Sequence, residues 1–140
     1  MGESVHDGIR VGDEVPPVNK HVTQEQINKW ADLSGDHNPL HVDPEFAKST
    51  RFGGTIAHGH LPIAFVSEMM TRWLRQGWIL GGKVQLTFLV PVKPGDTIIA
   101  KGVVREKMVE AGRKVVLCDI FCENQEGTKV IVGEARGAVL

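Results

Sequence analysis

The chain has 140 residues, 41% of them hydrophobic and 24% charged, which predicts one globular domain over residues 1–140. Its net charge of −1 offers no basic field for nucleic acid, and no apolar run is long enough to span a bilayer. The first residues, MGESVH, lack the layout of a signal peptide, so we expect a cytoplasmic protein that is not attached to a membrane.

The N-terminal part predicts an extended segment and then one short amphipathic helix. Residues 11–22 are interrupted by two adjacent prolines, so they form at most a short edge strand or an extended lead-in. Thr23 and Gln26 then match a capping box, and apolar residues share one helical face behind them. Gly35 marks the end of that helix.

The segment LSGDHNPLHVDP, residues 33–44, follows directly. Its prolines argue against a helix between Asp36 and His41, and Asp43 resembles the N-cap of a helical turn over residues 44–48. A loop of this kind would hold a carboxylate and an imidazole in one geometry, where they could bind a water molecule and exchange protons with it. The alternative is that Asp36 only forms a turn and His41 is a solvated loop residue.

The segment TIAHGHLP, residues 55–62, begins a second helix that we predict over residues 58–76. Pro62 must lie in the first helical turn, because a deeper position would break the hydrogen-bond ladder. The amides of Gly59 and His60 would then be unpaired donors at the positive helix end and could stabilise a developing oxyanion. The alternative is that the glycines of this region only permit a sharp turn.

Two apolar stripes on this second helix predict that it is buried over most of its circumference. Turn signals separate four apolar segments that can surround it as strands: residues 83–90, 97–108, 113–123 and 128–140. Their short links favour an antiparallel meander, and the fold class is therefore α+β. An exposed sheet edge and an uncovered side predict a homodimer or a higher homo-oligomer.

A metal site is not favoured. Four histidines lie near one another in the sequence, but their spacing lacks a matching carboxylate: His37, His41, His58 and His60. Cys118 and Cys122 lie four residues apart on one predicted strand, a separation of roughly 13 Å that excludes a disulfide. We expect them to be core thiols, and we expect no bound metal.

The segment SGDHNPLHVDP resembles the hydratase motif of the MaoC-like enoyl-CoA hydratases and dehydratases. Two later segments are similar to segments that follow this motif in sequences of the same family: AHG, residues 57–59, and FLVPVKPGD, residues 88–96. The resemblance implies a hot-dog fold, in which a sheet wraps a central helix, and at least a dimer. It also implies reversible addition of water to a trans-2-enoyl thioester, carried by coenzyme A or an acyl carrier protein, with no metal or redox cofactor.

By the same resemblance, Asp36 and His41 are the catalytic pair that activates water and handles the proton at the α-carbon. The amide of Gly59 becomes the donor to the thioester carbonyl, and Asn38 braces the loop or the pair. Ser67 matches a pocket serine of some members, although its hydroxyl could equally bond the preceding helical turn. His60 departs from the apolar residue of many members and is a candidate supporting or substrate-binding residue.

Two alternative functions remain at this point. An acyl-CoA thioesterase of the same fold would use a carboxylate of the central helix, where Glu68 is the candidate. A non-catalytic partner subunit of a heteromeric hydratase would be favoured by the loss of the motif's Asp or His, and both are present.

Overall fold

The computed structural model describes residues 5–140, in which a five-stranded antiparallel sheet packs against one long helix. The helices are α1 Val5–Gly8, α2 Gln24–Ser34, α3 Pro39–Val42, α4 Pro44–Lys48, α5 His60–Leu74 and α6 Gln76–Gly81. The strands are β1 Glu14–His21, β2 Lys83–Phe88, β3 Thr97–Glu110, β4 Arg113–Glu123 and β5 Lys129–Ala138. This arrangement confirms the predicted α+β class.

The strand order is β1-β3-β4-β5-β2, with every neighbouring pair antiparallel. The predicted meander is correct for β3, β4 and β5, but it is wrong for β2. That strand pairs with β5, where Phe88 lies opposite Ile131, and makes no ladder with the following β3. The segment 89–96 is therefore not a hairpin but a crossing connection, and its Val92 carbonyl accepts a hydrogen bond from the N–H of Ala57 at 2.7 Å.

The two edges of the sheet differ in how they are protected. β1 is an edge strand, as predicted, and its register against β3 shifts between Val15 and Val18, where Pro16 and Pro17 lack the N–H needed for pairing. β2 forms the opposite edge and contains no proline. Only the β1 edge thus carries the irregularity that discourages a further strand.

Helix α5 supplies most of one side of the core and contacts β1, β3, β4 and β5. Its buried residues are Leu61, Pro62, Phe65, Val66, Met69, Met70 and Leu74. The predicted span was two residues too long at each end. Pro62 occupies the third helical position, which lets the helix begin at His60, and Arg75 ends it with a φ of 55°.

Helix α2 forms as its sequence signals predict. The Thr23 side chain accepts from the Gln26 N–H, and the Gln26 side chain accepts from the Thr23 N–H in return. Ile27 is fully buried on the inner face. Gly35 closes the helix with a φ of 79°, a left-handed conformation that favours glycine, and this turn directs the chain into the 33–44 segment.

Among residues 5–140, no helix combines the length and apolarity that a bilayer crossing requires. Even α5, with 15 residues, is interrupted by Glu68 and Arg72. The expected cytoplasmic location stays a prediction.

The two cysteines are free and buried on β4, as expected for core thiols. Burial raises the pKa of Cys122 from 9.0 to about 12. The pKa of Cys118 also rises from 9.0 to about 12, chiefly through burial and to a lesser extent through the nearby Asp119 charge.

We predict that these thiols make the fold sensitive to alkali. A thiol whose pKa is higher in the folded state keeps its stabilising contribution below pH 9 and loses it as the pH rises from 9 toward 12. The free energy of unfolding, measured by urea titration at several pH values, should fall over this window. The double variant Cys118→Ala/Cys122→Ala should show a shallower fall, and an identical slope would contradict the prediction.

Candidate active site

The 33–44 segment contains a helical turn that the sequence did not predict. Pro39 was expected to keep this segment non-helical, but it stands at the first position of α3, where its fixed φ and missing N–H are tolerated. Asn38 is the N-cap, and its Oδ1 accepts from the Leu40 N–H at 3.0 Å. The expectation that Asp43 caps α4 is confirmed, since its Oδ1 accepts two N–H groups of that helix.

Asp36 lies on the exposed turn between α2 and α3. Its Oδ1 accepts from the Asn38 N–H at 3.2 Å, and its own N–H donates to Ser34 Oγ at 3.2 Å. Asp36 therefore does form the turn that the simpler interpretation assigned to it. This role uses one carboxylate oxygen, and Asn38 braces the same turn from both its backbone and its side chain.

His41 lies on α3 with its ring held in one orientation. Its Nδ1 is 2.8 Å from the carbonyl oxygen of Ile56. Because a carbonyl can only accept, Nδ1 carries the hydrogen, and Nε2 of the neutral ring presents a lone pair. The backbone carbonyl of His41 also accepts from Gln24 Nε2 at 2.8 Å, which ties α3 to α2.

His58 joins this pair, although the sequence indicated it only as a disfavoured metal ligand and as part of the AHG segment. Its side chain is buried, with 1% of the residue exposed. Its Nε2 is 2.9 Å from the main-chain oxygen of Asp36, and its ring stacks on His41 with the centroids 3.9 Å apart and the planes 28° apart. These contacts span 22 and 17 residues of sequence, so no local pattern could have indicated them.

The carboxylate of Asp36 and the rings of His41 and His58 converge, since one ligand atom of each lies within 4.8 Å of the others. One water molecule that bonds two groups at a tetrahedral angle separates them by about 4.6 Å, so the pair Asp36 and His41 can share a water. A shared metal ion is a poor fit. Nδ1 of His41 and Nε2 of His58 already bond carbonyl oxygens, so each ring could offer a metal only its other nitrogen, and the absence of a metal stays a prediction.

A cavity of about 320 Å³ adjoins this cluster and is lined by both His41 and Gly59. Gly59 is the N-cap of α5 and offers no side-chain cap to that helix, whose Leu61 N–H donates to the His58 carbonyl at 3.0 Å. The ring of Phe88 is 3.0 Å from the point that a Cβ on Gly59 would occupy. The other walls are mainly apolar and include Phe52, Ile56, Pro62, Val90 and Ile131.

Two further candidate residues lie elsewhere. The Oγ of Ser67 accepts from Trp78 Nε1 at 3.0 Å, which joins α5 to α6. His60 is exposed, and its ring stacks on Trp30 with the centroids 6.1 Å apart. In the part of the chain that the structure describes, neither Ser67 nor His60 lines the cavity beside His41.

Glu68, the carboxylate considered for a thioesterase, forms ion pairs. Its Oε2 lies 2.7 Å from Lys20 Nζ on β1, and its Oε1 lies 3.1 Å from a guanidinium nitrogen of Arg72. It does not line the cavity either, as far as the described residues show. Its contacts therefore join α5 to β1 and leave the cluster around Asp36 without a second carboxylate from the helix.

Comparison with known proteins identifies the family. The sequence profile described as "MaoC like domain" matches residues 9–120. The chain belongs to the MaoC-like domain family. The family assignment confirms the resemblance seen in the 33–44 segment. The matched span also contains every residue of the cluster and the whole of α5.

Relatives of this MaoC-like chain include named enzymes. It is 48% identical over 48 residues to the 3-hydroxyacyl-thioester dehydratase Z of Mycobacterium tuberculosis, a match that covers 34% of this chain and 32% of that protein. The alignment thus spans about a third of that relative's length. A longer match, 34% identical over 116 residues, is to the (R)-specific enoyl-CoA hydratase of Rhodospirillum rubrum, and it covers 83% of this chain and 78% of the relative.

Solved structures confirm the predicted hot-dog fold of this MaoC-like chain. An R-hydratase from Pseudomonas aeruginosa in its unliganded form superposes with a TM-score of 0.84 at 29% sequence identity. The superposition covers 96% of this chain and 84% of the hydratase chain. The sheet around α5 is therefore the shared framework.

His37 lies in the same motif but outside the cluster. Its pKa tests whether the turn after α2 holds His37 against Asp32. Its Nε2 is 3.0 Å from Asp32 Oδ1, and this hydrogen bond raises the pKa of His37 above 6.5 because the carboxylate favours the imidazolium form. NMR titration should show a pKa above 6.5 that falls toward 6.5 in Asp32→Asn. The control Glu25→Gln, which removes a carboxylate paired with Lys29, should leave it unchanged.

Proposed function

We propose that this MaoC-like chain is a hydro-lyase that adds water reversibly to trans-2-enoyl thioesters and forms 3-hydroxyacyl thioesters. One observation carries the proposal: the Asp36 carboxylate lies within 4.8 Å of the His41 ring, and His41 lines an apolar cavity at the start of α5. The activities named for the dehydratase Z and the (R)-specific hydratase support the same reaction class.

In the proposed reaction, the pair holds one water between the carboxylate and Nε2 of the imidazole. One member accepts a proton as the water oxygen bonds to the β-carbon, and the electron pair of the double bond moves into the thioester. A proton from the pair then completes the α-carbon. Hydration changes no net oxidation state, so the reaction requires no redox cofactor. Its only covalent participants are water and the thioester.

The start of α5 would stabilise the charge that develops on the thioester oxygen. Gly59 lines the cavity and has no Cβ, so a carbonyl oxygen can approach its backbone closely. The N–H groups of Gly59 and His60 and the positive end of the helix dipole favour a negative oxygen there. A single such donor typically contributes about 3 kcal/mol to the stabilisation of the transition state.

The cavity is suited to the acyl part of a substrate. Its walls are mostly apolar, and Phe52, Ile56 and Phe88 present large hydrocarbon surfaces. Burying acyl methylenes against them yields about 0.8 kcal/mol per CH₂ group. The thiol carrier would be coenzyme A or an acyl carrier protein, as the family resemblance implies.

The structure favours hydration over hydrolysis by a helix carboxylate. Glu68 is held by Lys20 and Arg72, and it would have to give up these two ion pairs to act as a base. A non-catalytic subunit is disfavoured as well, because both members of the proposed pair are present and lie close together.

We predict that removing either member of the pair strongly slows hydration. Purified protein should consume crotonyl-CoA or longer trans-2-enoyl-CoAs, followed as loss of the conjugated enoyl absorbance. Asp36→Asn and His41→Ala should each reduce kcat by about 10²- to 10⁴-fold, the usual contribution of a positioned acid or base. Glu68→Gln, the matched control, should keep its activity.

A thiol reagent in the same wells separates the two chemistries. Hydration keeps the thioester intact, whereas hydrolysis releases free thiol. The thioesterase alternative would replace the proposal if two results were found together. The wild type would release thiol in an amount that accounts for all the lost enoyl absorbance, and Glu68→Gln would release none.

We also propose that two copies associate through the β2 edge. This edge lacks the prolines and the register shift that protect β1. Val84 on β2 is 39% exposed and Phe88 is 56% exposed, so the edge presents apolar side chains beside unpaired backbone groups. A two-fold axis would pair this edge with its own copy and cover both.

We predict a solution mass of twice the 15.3 kDa of one chain. Val84→Lys should shift the protein toward the monomer, because it places a charged side chain on the edge strand that the proposed contact would bury. Light scattering after size-exclusion chromatography measures the mass. Val11→Lys is the control, since Val11 is 64% exposed but precedes β1. Equal effects of the two variants would exclude the β2 edge as the contact.

A further inference from the structure

We propose that His58 is the residue that positions the catalytic pair, an inference that rests on the proposed hydratase function. Its side chain is the point at which the two halves of the pair are joined. It bonds the main chain of Asp36, it stacks on the ring of His41, and it directly precedes Gly59 in the sequence.

The hydrogen bond from His58 Nε2 to the Asp36 carbonyl joins two residues that are 22 positions apart in the sequence. In the part of the chain that the structure describes, the other hydrogen bonds of Asp36 are local and reach only Ser34 and Asn38. Asp36 lies on an exposed turn after a left-handed glycine, so local bonds alone leave it free to move with that turn. The bond from His58 instead ties it to the buried segment before α5.

The direction of this bond fixes the tautomer of His58. The carbonyl of Asp36 can only accept, so Nε2 of His58 carries the hydrogen and donates it. Nδ1 then holds a lone pair, and this buried atom has no hydrogen-bond partner among the described residues. The hydrogen bond and the ring stack that orient this buried side chain are therefore those to Asp36 and His41.

The stacking contact acts on the other member of the pair. The ring of His41 is held at Nδ1 by the Ile56 carbonyl and over one face by His58. The hydrogen bond sets the rotation of the ring within its plane, and the stack limits tilting out of that plane. Together they fix a ring that has a nitrogen within 4.8 Å of an Asp36 carboxylate oxygen, a separation that one shared water can span.

The role is one of positioning, because His58 is 1% exposed and its contacts are to the main chain of Asp36 and the ring face of His41. Loss of His58 should therefore lower kcat and leave KM nearly unchanged. Misplacement of a catalytic group by about 1 Å can lower the rate by about 10²-fold. If His58 only filled the core, its replacement would lower the stability of the fold and would not lower kcat selectively at an unchanged KM.

Two substitutions separate the two contacts. His58→Gln keeps an N–H donor near the position of Nε2 but loses the ring, whereas His58→Phe keeps the stacked ring but loses the donor. We expect His58→Gln to stay within about tenfold of the wild-type kcat and His58→Phe to lose about 10²-fold, because the turn that carries Asp36 is the less constrained partner. His21→Gln, at an exposed histidine bonded to Thr97, is the control.

A measurement on the wild type covers the case in which these variants unfold. Long-range ¹⁵N–¹H correlation of the imidazoles should show His58 as the Nε2–H tautomer and His41 as the Nδ1–H tautomer. The opposite tautomer at His58 would overturn the proposal, as would full kcat in folded His58→Phe. If the wild type hydrates no enoyl thioester, the proposed function fails, while the tautomer result still decides whether His58 holds Asp36.

Discussion

The burial of α5 against the sheet is the constraint on which the rest of the structure depends. Met69 and Met70 are fully buried at its centre, and the helix contacts four of the five strands. A helix held on so many sides cannot rotate or slide without opening the core, since interiors are close-packed. Its first turn therefore has a fixed place, and Gly59 and His58 take their positions from it.

Three distant parts of the chain meet at this first turn. The 55–58 segment lies between α3 and the connection that follows β2. The Ile56 carbonyl accepts a hydrogen bond from the His41 ring, and the Ile56 N–H donates to the Leu40 carbonyl at 3.2 Å. The N–H of Ala57 donates to the Val92 carbonyl at 2.7 Å. The buried helix thus holds residues 55–58 in place, and the hydrogen bonds of this segment hold the motif that carries Asp36 against it.

The features that sequence reasoning found are those with local signals. The capping box of Thr23, the N-cap Asp43 and the bounds of β4 each depend on residues within a few positions of one another. The pairing of β2 with β5 was not predicted, because no turn signal marks it. The helical turn of α3 was not predicted either, because a proline usually breaks a helix and only the tertiary structure shows that Pro39 is a first helical residue.

His58 was missed as a partner of Asp36 because their contact depends on the tertiary fold. Ser67 and His60 show the converse, since a motif position did not indicate which way each side chain points.

Phe88 ends β2, and its ring lies against Gly59 while forming part of the cavity wall. The outermost strand of the sheet thus forms one side of the chamber that would receive the acyl group. A change of side chain at this position would therefore alter the shape of the chamber and the rim of the sheet at the same time.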